Sequence, residues 1–148
     1  MTEIRRYISS CLPDAVGLFI ETYNRPPWDN RWTEETAGRY LKEFTRAPRF
    51  IGFTAWQDGE MAGVALCREK TWWTGGELYV EELFVSPDFQ HRGIGGQLLR
   101  EIENHVKTHG LNSVTLLTSR RMPAMEFYRR HGFRCIEDNA FLHKSVTS

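Results

Sequence analysis

Hydrophobic and polar positions change period several times along the chain, and each change marks a predicted element. Ile94, Leu98, Ile102 and Val106 recur every fourth residue with polar residues between them, the stripe of an amphipathic helix. That helix should begin near Gly93 and end at the C-cap glycine Gly110, after Lys107 and His109. Leu78 to Val85 is instead a short run rich in β-branched and aromatic residues, stopped by Ser86-Pro87, and predicts a strand. Near the start, Glu3–Ile8 predicts another strand. Leu12, Val16, Phe19, Ile20 and Tyr23 then take helical spacing, with Pro13-Asp14 suited to a first turn. Two prolines make Asn24–Asn30 a loop. Thr33 followed by Glu34-Glu35 reads as an N-cap with acids in the first turn. The helix it opens should run to about Thr45, burying Ala37, Tyr40, Leu41 and Phe44, with Pro48 ending it.

Phe50–Trp56 and Met61–Arg68 predict a hairpin around Asp58-Gly59, and Thr71–Gly76 predicts the turn into the central strand. Beyond Gly110, Ser113–Leu117 predicts a strand, and Met122–Arg130 a short helix with Pro123 near its start and Gly132 at its end. Arg134–Ile136 and Phe141–Val146 predict two short closing strands. The order β-α-α-β-β-β-α-β-α-β-β implies an α+β fold with a single mixed, mostly antiparallel sheet flanked by helices. With 148 residues, the chain is expected to form one domain, 1–148, burying roughly 70% of its unfolded surface.

Between the central strand and the long helix lies Gln90-His91-Arg92-Gly93-Ile94-Gly95-Gly96. Glycines at a helix start let the backbone close on an anion, because free N–H groups and the helix dipole point there. Arg92 adds a fixed cationic fork. The stretch therefore predicts a pyrophosphate cradle. No Lys-Ser/Thr pair follows the glycines, so a Walker loop is excluded, and Leu98 stands where a dinucleotide fingerprint needs a third small residue. Gln-x-x-Gly-x-Gly after a strand ending in Val85-Ser86-Pro87, with Phe127-Tyr128-Arg129-Arg130-His131-Gly132-Phe133 downstream, resembles the GNAT superfamily of acetyl-CoA-dependent N-acetyltransferases. Its motifs cover roughly Glu77 to Phe133, and the element order matches the GNAT fold over most of the chain.

The resemblance implies acetyl-CoA as cofactor, held by Gln90, His91, Arg92, Gly93, Ile94, Gly95 and Gly96 at the pyrophosphate. It also implies that the backbone of Leu83, Phe84 and Val85 meets the pantetheine arm and thioester oxygen, which requires the central strands to splay. Direct acetyl transfer to a primary amine needs a proton acceptor, since about one alkylamine in two thousand is neutral at pH 7. Period two places Glu81 with Leu83 and Val85 on one strand face and Glu82 with Phe84 on the other. In the similar spermidine/spermine acetyltransferases a functional glutamate stands at the position of Glu81, implying that Glu81 is a base acting through water or an anchor for a cationic substrate. Tyr128 matches the family tyrosine that returns a proton to the departing thiolate, a task a phenol with a pKa near 10 can perform. Relatives often carry asparagine where this chain has Arg121, whose role stays open.

In this fold the amine acceptor meets the first two helices, their loop and the turn before the central strand. Those segments supply Trp28, Asp29 and Trp32, with Trp72 and Trp73 in the turn. Aromatics beside carboxylates suit an organic cation, so Trp28, Asp29, Trp32 and Glu82 are the expected substrate-binding set for an aminoglycoside- or polyamine-like small molecule. The tryptophans equally suit packing or a homodimer contact. A protein or peptide N-acetyltransferase and a non-catalytic acyl-CoA-binding module are the alternatives.

Composition narrows the partners. Lys+Arg and Asp+Glu balance at 19 each, so nothing draws the chain toward nucleic acid or a membrane. No apolar run approaches the roughly 20 residues of a membrane span, and no signal-peptide core is seen. Cys11, Cys67 and Cys135 are widely spaced and odd in number, which predicts reduced thiols and a cytoplasmic setting. His105 and His109 share a helix face, but no third ligand accompanies them, so no metal is expected.

Overall fold

The computed structural model describes residues 1–147. Their contacts separate into two compact units, one spanning Met1–Leu117 and the other running from Thr118 onward. The first unit holds five strands, β1 (Thr2–Arg6), β2 (Phe50–Gln57), β3 (Glu60–Lys70), β4 (Glu77–Val85) and β5 (Ser113–Leu116), and three helices, α1 (Leu12–Tyr23), α2 (Glu34–Thr45) and α3 (Ile94–Thr108). The second holds α4 (Pro123–Arg130). The sheet runs β1-β2-β3-β4-β5, antiparallel except for the parallel β4–β5 pair. This is the mixed α+β architecture that the element order predicts. None of the described helices is long and apolar enough to cross a membrane.

Local chemistry explains the boundaries. Thr33 caps α2 in a reciprocal box, accepting from the Thr36 amide at 3.1 Å while Thr36 Oγ1 accepts from the Thr33 amide at 2.9 Å; such a cap contributes on the order of 1 kcal/mol. Ile94, Leu98, Ile102 and Val106 are all buried along α3, each side chain contributing about 1.5–3 kcal/mol by leaving water. On α2, Ala37 and Leu41 are fully buried, whereas Tyr40 and Phe44 are only partly so.

The helices take opposite sheet faces. Val64, Leu66 and Phe84 pack in one core with Val16, Leu18, Phe19, Ala37 and Leu41 of α1 and α2. Gly63 lies against Leu98 and Ile94 of α3, and strand alternation puts it on the other face from Val64. On that face His105, 7% exposed, meets Glu69 Oε2 at 2.7 Å, while Arg49 reaches Glu69 Oε1 at 3.3 Å. His105 is thus a buried partner of β3, a role beyond the dipole complement its place near the helix C-terminus suggested. Its hydrogen bond, with Arg49 behind it, holds the Glu69 carboxyl below its usual 4.5. The stability this supplies is present above that value and lost as pH falls through the lower native one. Glu69→Gln should therefore destabilise by about 1 kcal/mol at pH 7, the pair being partly exposed. In thermal melts the gap from wild type should narrow steadily as pH falls below 4.5; a gap that does not change with pH would refute the charge argument.

The two predicted closing strands, Arg134–Ile136 and Phe141–Val146, do not form. Among the described residues after Phe133, the backbone bond recorded is a turn from the Asn139 amide to the Ile136 carbonyl. Phe141, Leu142 and Val146 stand 74–87% exposed. A strand exists only as part of a ladder, and short apolar runs suggest strand without supplying a partner.

Candidate active site

The central strand opens where the chemistry was expected. The ladder between β4 and β5 pairs Glu77 to Val80 with Ser113 to Leu116 and stops there, although β4 continues to Val85. Glu81 to Val85 thus run beyond the parallel ladder, the splay that the family resemblance required. On the other side, β3 pairs Leu66 with Glu82 and Cys67 with Val80, leaving Glu81 as the extra residue of a β-bulge. A bulge reverses the alternation. Val80 lies beside Cys67, on the face of α3, whereas Glu82 lies beside Leu66, on the face of α1 and α2. Without the bulge, Val80 and Glu82 would share a face.

That reversal delivers Glu82 to two tyrosines. Tyr40 of α2 donates its hydroxyl to Glu82 Oε2 at 2.6 Å, and Tyr23 of α1 donates to Oε1 at 3.4 Å. Aromatic rings surround them. Tyr23 packs on Trp28 at 5.3 Å and Phe84 at 6.0 Å; Tyr40 packs on Trp32 at 5.0 Å; Phe19 touches Tyr23, Trp32, Tyr40 and Phe84. Burial raises the Glu82 carboxyl from 4.5 to about 6, the two phenols working against that rise and the charge of Glu81 adding to it. A half-desolvated carboxylate poised near neutrality among aromatic faces can accept a proton and hold a cation.

The predicted acceptor set comes together in part. Trp28, Trp32 and Glu82 share this cluster, whereas Asp29 is exposed in the loop with a φ of 51°. Trp72 and Trp73 stand 59% and 86% exposed in the turn before β4. Glu81 is partly buried, 4.0 Å from Arg68. Tyr23 and Tyr40 escaped the sequence reading as site residues because helical spacing marks both as core. The overlooked signal is the hydroxyl, since a buried tyrosine needs a hydrogen-bond partner.

Downstream, Pro87–Phe89 forms a 3-10 turn capped by Ser86, whose Oγ accepts from the Asp88 amide at 3.2 Å. Gln90 folds back, its Nε2 donating to the Val85 carbonyl at 3.4 Å. His91 and Gly93 both adopt left-handed backbone, φ 64° and 78°, and Gly93 caps α3. Glycine suits that conformation and the non-glycine His91 bears strain there. The first turn of α3 contains no acidic residue, and Arg92 is exposed, its guanidinium over Phe89 at 5.3 Å. Left-handed backbone at His91 and Gly93, a helix N-terminus and one exposed cation fit a pyrophosphate. Ile94 is 1% exposed and Phe84 3%, so these two could serve a cofactor only through their backbones.

In the second unit, Tyr128 of α4 is 8% exposed. Its ring meets Phe127 at 5.2 Å and Phe133 at 5.3 Å, and its carbonyl accepts from the Phe133 amide at 3.0 Å. His131 Nδ1 lies 2.9 Å from the Phe127 carbonyl, as expected of a helix-capping histidine. Burial, with the charge of Glu81, pushes the Cys67 thiol far up, which leaves it a packing residue and a poor nucleophile. Among the described residues no three His, Cys, Asp or Glu side chains gather to hold a metal ion.

A mixed sheet with an opened central strand, followed by a long helix that starts at a left-handed glycine, defines the class of fold. The profile of the Acetyltransferase (GNAT) family matches residues 17–133, and the chain belongs to that family. It is 40% identical over 135 residues to an uncharacterized N-acetyltransferase of Methanocaldococcus jannaschii, covering 88% of this chain and 59% of that protein. It is 29% identical over 92 residues to streptothricin acetyltransferase of Streptomyces lavendulae, covering 62% and 48%. The chain thus spans about half to three-fifths of the length of these curated relatives. Its fold superposes with a TM-score of 0.74 on the aminoglycoside acetyltransferase AAC(6′)-Iy, solved with a CoA-based bisubstrate analogue, at 22% identity and 99% coverage of both chains.

Proposed function

We propose that this protein is an acetyl-CoA-dependent N-acetyltransferase that acetylates a primary amine of a small organic cation, of aminoglycoside or polyamine type, without a covalent enzyme intermediate. The observation that carries this reading is Glu82, held between Tyr40 and Tyr23 among aromatic rings beside the opened end of β4. Acetyl-CoA, when bound, supplies the acetyl group as a thioester. The amides of His91 to Gly96 and Arg92 would hold its pyrophosphate, and the exposed edge of Leu83 to Val85 would donate to the thioester oxygen as charge develops there.

Glu82 serves as the base that takes the proton from the ammonium, so that the free amine can attack the thioester carbonyl. As the carbon–sulfur bond breaks, Tyr128 gives its proton to the departing sulfur, and the second proton that the attacking nitrogen sheds on becoming an amide restores the phenol. Glu81, the carboxylate that the family resemblance favours, lies near Arg68, and its negative charge adds to the burial that raises the proton affinity of Glu82. Of the two roles the resemblance implies, Glu81 takes that of anchor for the cationic acceptor. Trp28 and Trp32 supply ring faces for the acceptor, a reading supported by the substrates named for the relatives. The family match runs across both compact units, which supports treating them as one domain. Three free cysteines support a reducing, cytoplasmic setting.

The decisive experiment measures thiol release from acetyl-CoA with aminoglycosides, polyamines, amino acids and short peptides. Turnover confined to small polycationic amines is the expected result. Turnover confined to peptides would replace this reading with a protein acetyltransferase, and CoA binding without turnover on any amine would favour a binding module.

A further inference from the structure

The structure assigns Tyr40, assisted by Tyr23, as a positioning residue that pins the Glu82 carboxylate in one orientation and keeps it ionised; the inference rests on the reading of Glu82 as the base. Neither tyrosine belongs to the strand or the glycine loop. Each arrives from a different helix and takes a different oxygen, Tyr40 on Oε2 at 2.6 Å and Tyr23 on Oε1 at 3.4 Å. Two anchors from two elements fix both the position and the plane of the carboxylate. The shorter contact lies in the range of a charge-assisted O–H···O⁻ bond.

The tyrosine rings are themselves held. Tyr40 lies against Phe19 at 5.5 Å, Trp32 at 5.0 Å and Phe44 at 4.8 Å, so its hydroxyl cannot swing away without breaking the α1–α2 core. The charged groups acting here are Glu81 beside Glu82 on β4 and Glu43 on α2. From β3, Arg68 stands by Glu81. Burial first, then Glu82, Glu81 and Glu43, push the Tyr40 phenol far above its ordinary 10. Tyr40 therefore remains a donor at every pH where the enzyme would work and never competes for the amine proton. Its bond opposes the burial that would otherwise neutralise Glu82. A carboxyl without that donor would be increasingly protonated at neutral pH and unable to act as a base.

The test compares wild type with Tyr40→Phe and Tyr23→Phe in two readouts. One is the titration of Glu82 by carboxyl ¹³C NMR of the cofactor-free protein, its signal identified by absence in Glu82→Gln. The other is the pH profile of kcat/KM for an accepted amine. In Tyr40→Phe both the Glu82 titration and the acid limb should move up by about one pH unit, as loss of a hydrogen bond to a charged group implies. Activity should fall about fivefold at pH 6, approach a tenfold loss below about pH 5, and fall much less above pH 8. Tyr23→Phe, losing the longer bond, should give a smaller shift in the same direction, and it carries the test alone if Tyr40→Phe does not fold. An unmoved Glu82 titration in folded variants would overturn the inference. A titration that moves while the limb stays fixed would uphold the tyrosine contact and overturn Glu82 as the base.

Discussion

Glu82→Gln is expected to lower kcat/KM at pH 7 by at least about a hundredfold while making the folded protein more stable. The loss follows from removing the base, since positioned proton transfer contributes about 10²–10⁴ in rate. The gain follows from the cost of keeping that base charged. Burial raises the Glu82 carboxyl from 4.5 to about 6, so between those values the native state holds a proton that the unfolded chain has released. Stability associated with this group is therefore greatest below about pH 4.5 and declines as pH rises through about 6, by about 2 kcal/mol in all. Glutamine removes the charge yet keeps an oxygen for Tyr40, so about 1–2 kcal/mol should be regained at pH 8 and almost none at pH 4. Denaturant titrations at both pH values read the difference directly. Equal stability at pH 8 would mean that Glu82 sits in a wetter site than its tyrosine contacts indicate.

Tyr128→Phe is expected to reduce kcat by about a hundredfold and leave CoA affinity within about threefold. Phenylalanine preserves the packing against Phe127 and Phe133 and removes only the hydroxyl. A mutation that lowers kcat and kcat/KM together removes an interaction made in the transition state. Single-turnover rates alongside calorimetric CoA binding separate the two quantities. Unchanged turnover in the variant would refute the proton-donor role, and a parallel loss of CoA affinity would place the tyrosine in cofactor binding instead. Because Glu82→Gln acts on the amine proton and Tyr128→Phe on the leaving thiolate, a poorly basic amine should rescue only the former.

Much of this site could be read before any coordinates. Gln90 to Gly96 predicts a phosphate cradle because glycines, a cation and a helix stripe are local features, and the same local chemistry sets the left-handed backbone of His91 and Gly93. The element bounds of α1 and α2 followed from apolar spacing, the Pro13-Asp14 turn and the Thr33 cap. The surroundings of the two glutamates were less legible. Period two puts Glu82 on the face of Phe84, as observed, but it assumes an unbroken strand, and the inserted residue at Glu81 reverses faces between Val80 and Glu82. The same limit explains the missing closing strands, where apolar residues such as Phe141 and Leu142 lack a ladder partner.

The sequence by itself determined the alternation of elements, the caps, the glycine-rich start of α3 and the presence of two carboxylates near the end of the central strand. These depend on contacts within a turn or two of chain, where propensity, hydrogen bonding and periodicity act directly. Tertiary structure alone decided which carboxylate the two phenols hold and where the ladder beside β4 ends. Tyr23 and Tyr40 lie 59 and 42 residues from Glu82. Only the packing of α1 and α2 on one face of the sheet brings their hydroxyls to a single carboxylate and raises its proton affinity toward neutrality.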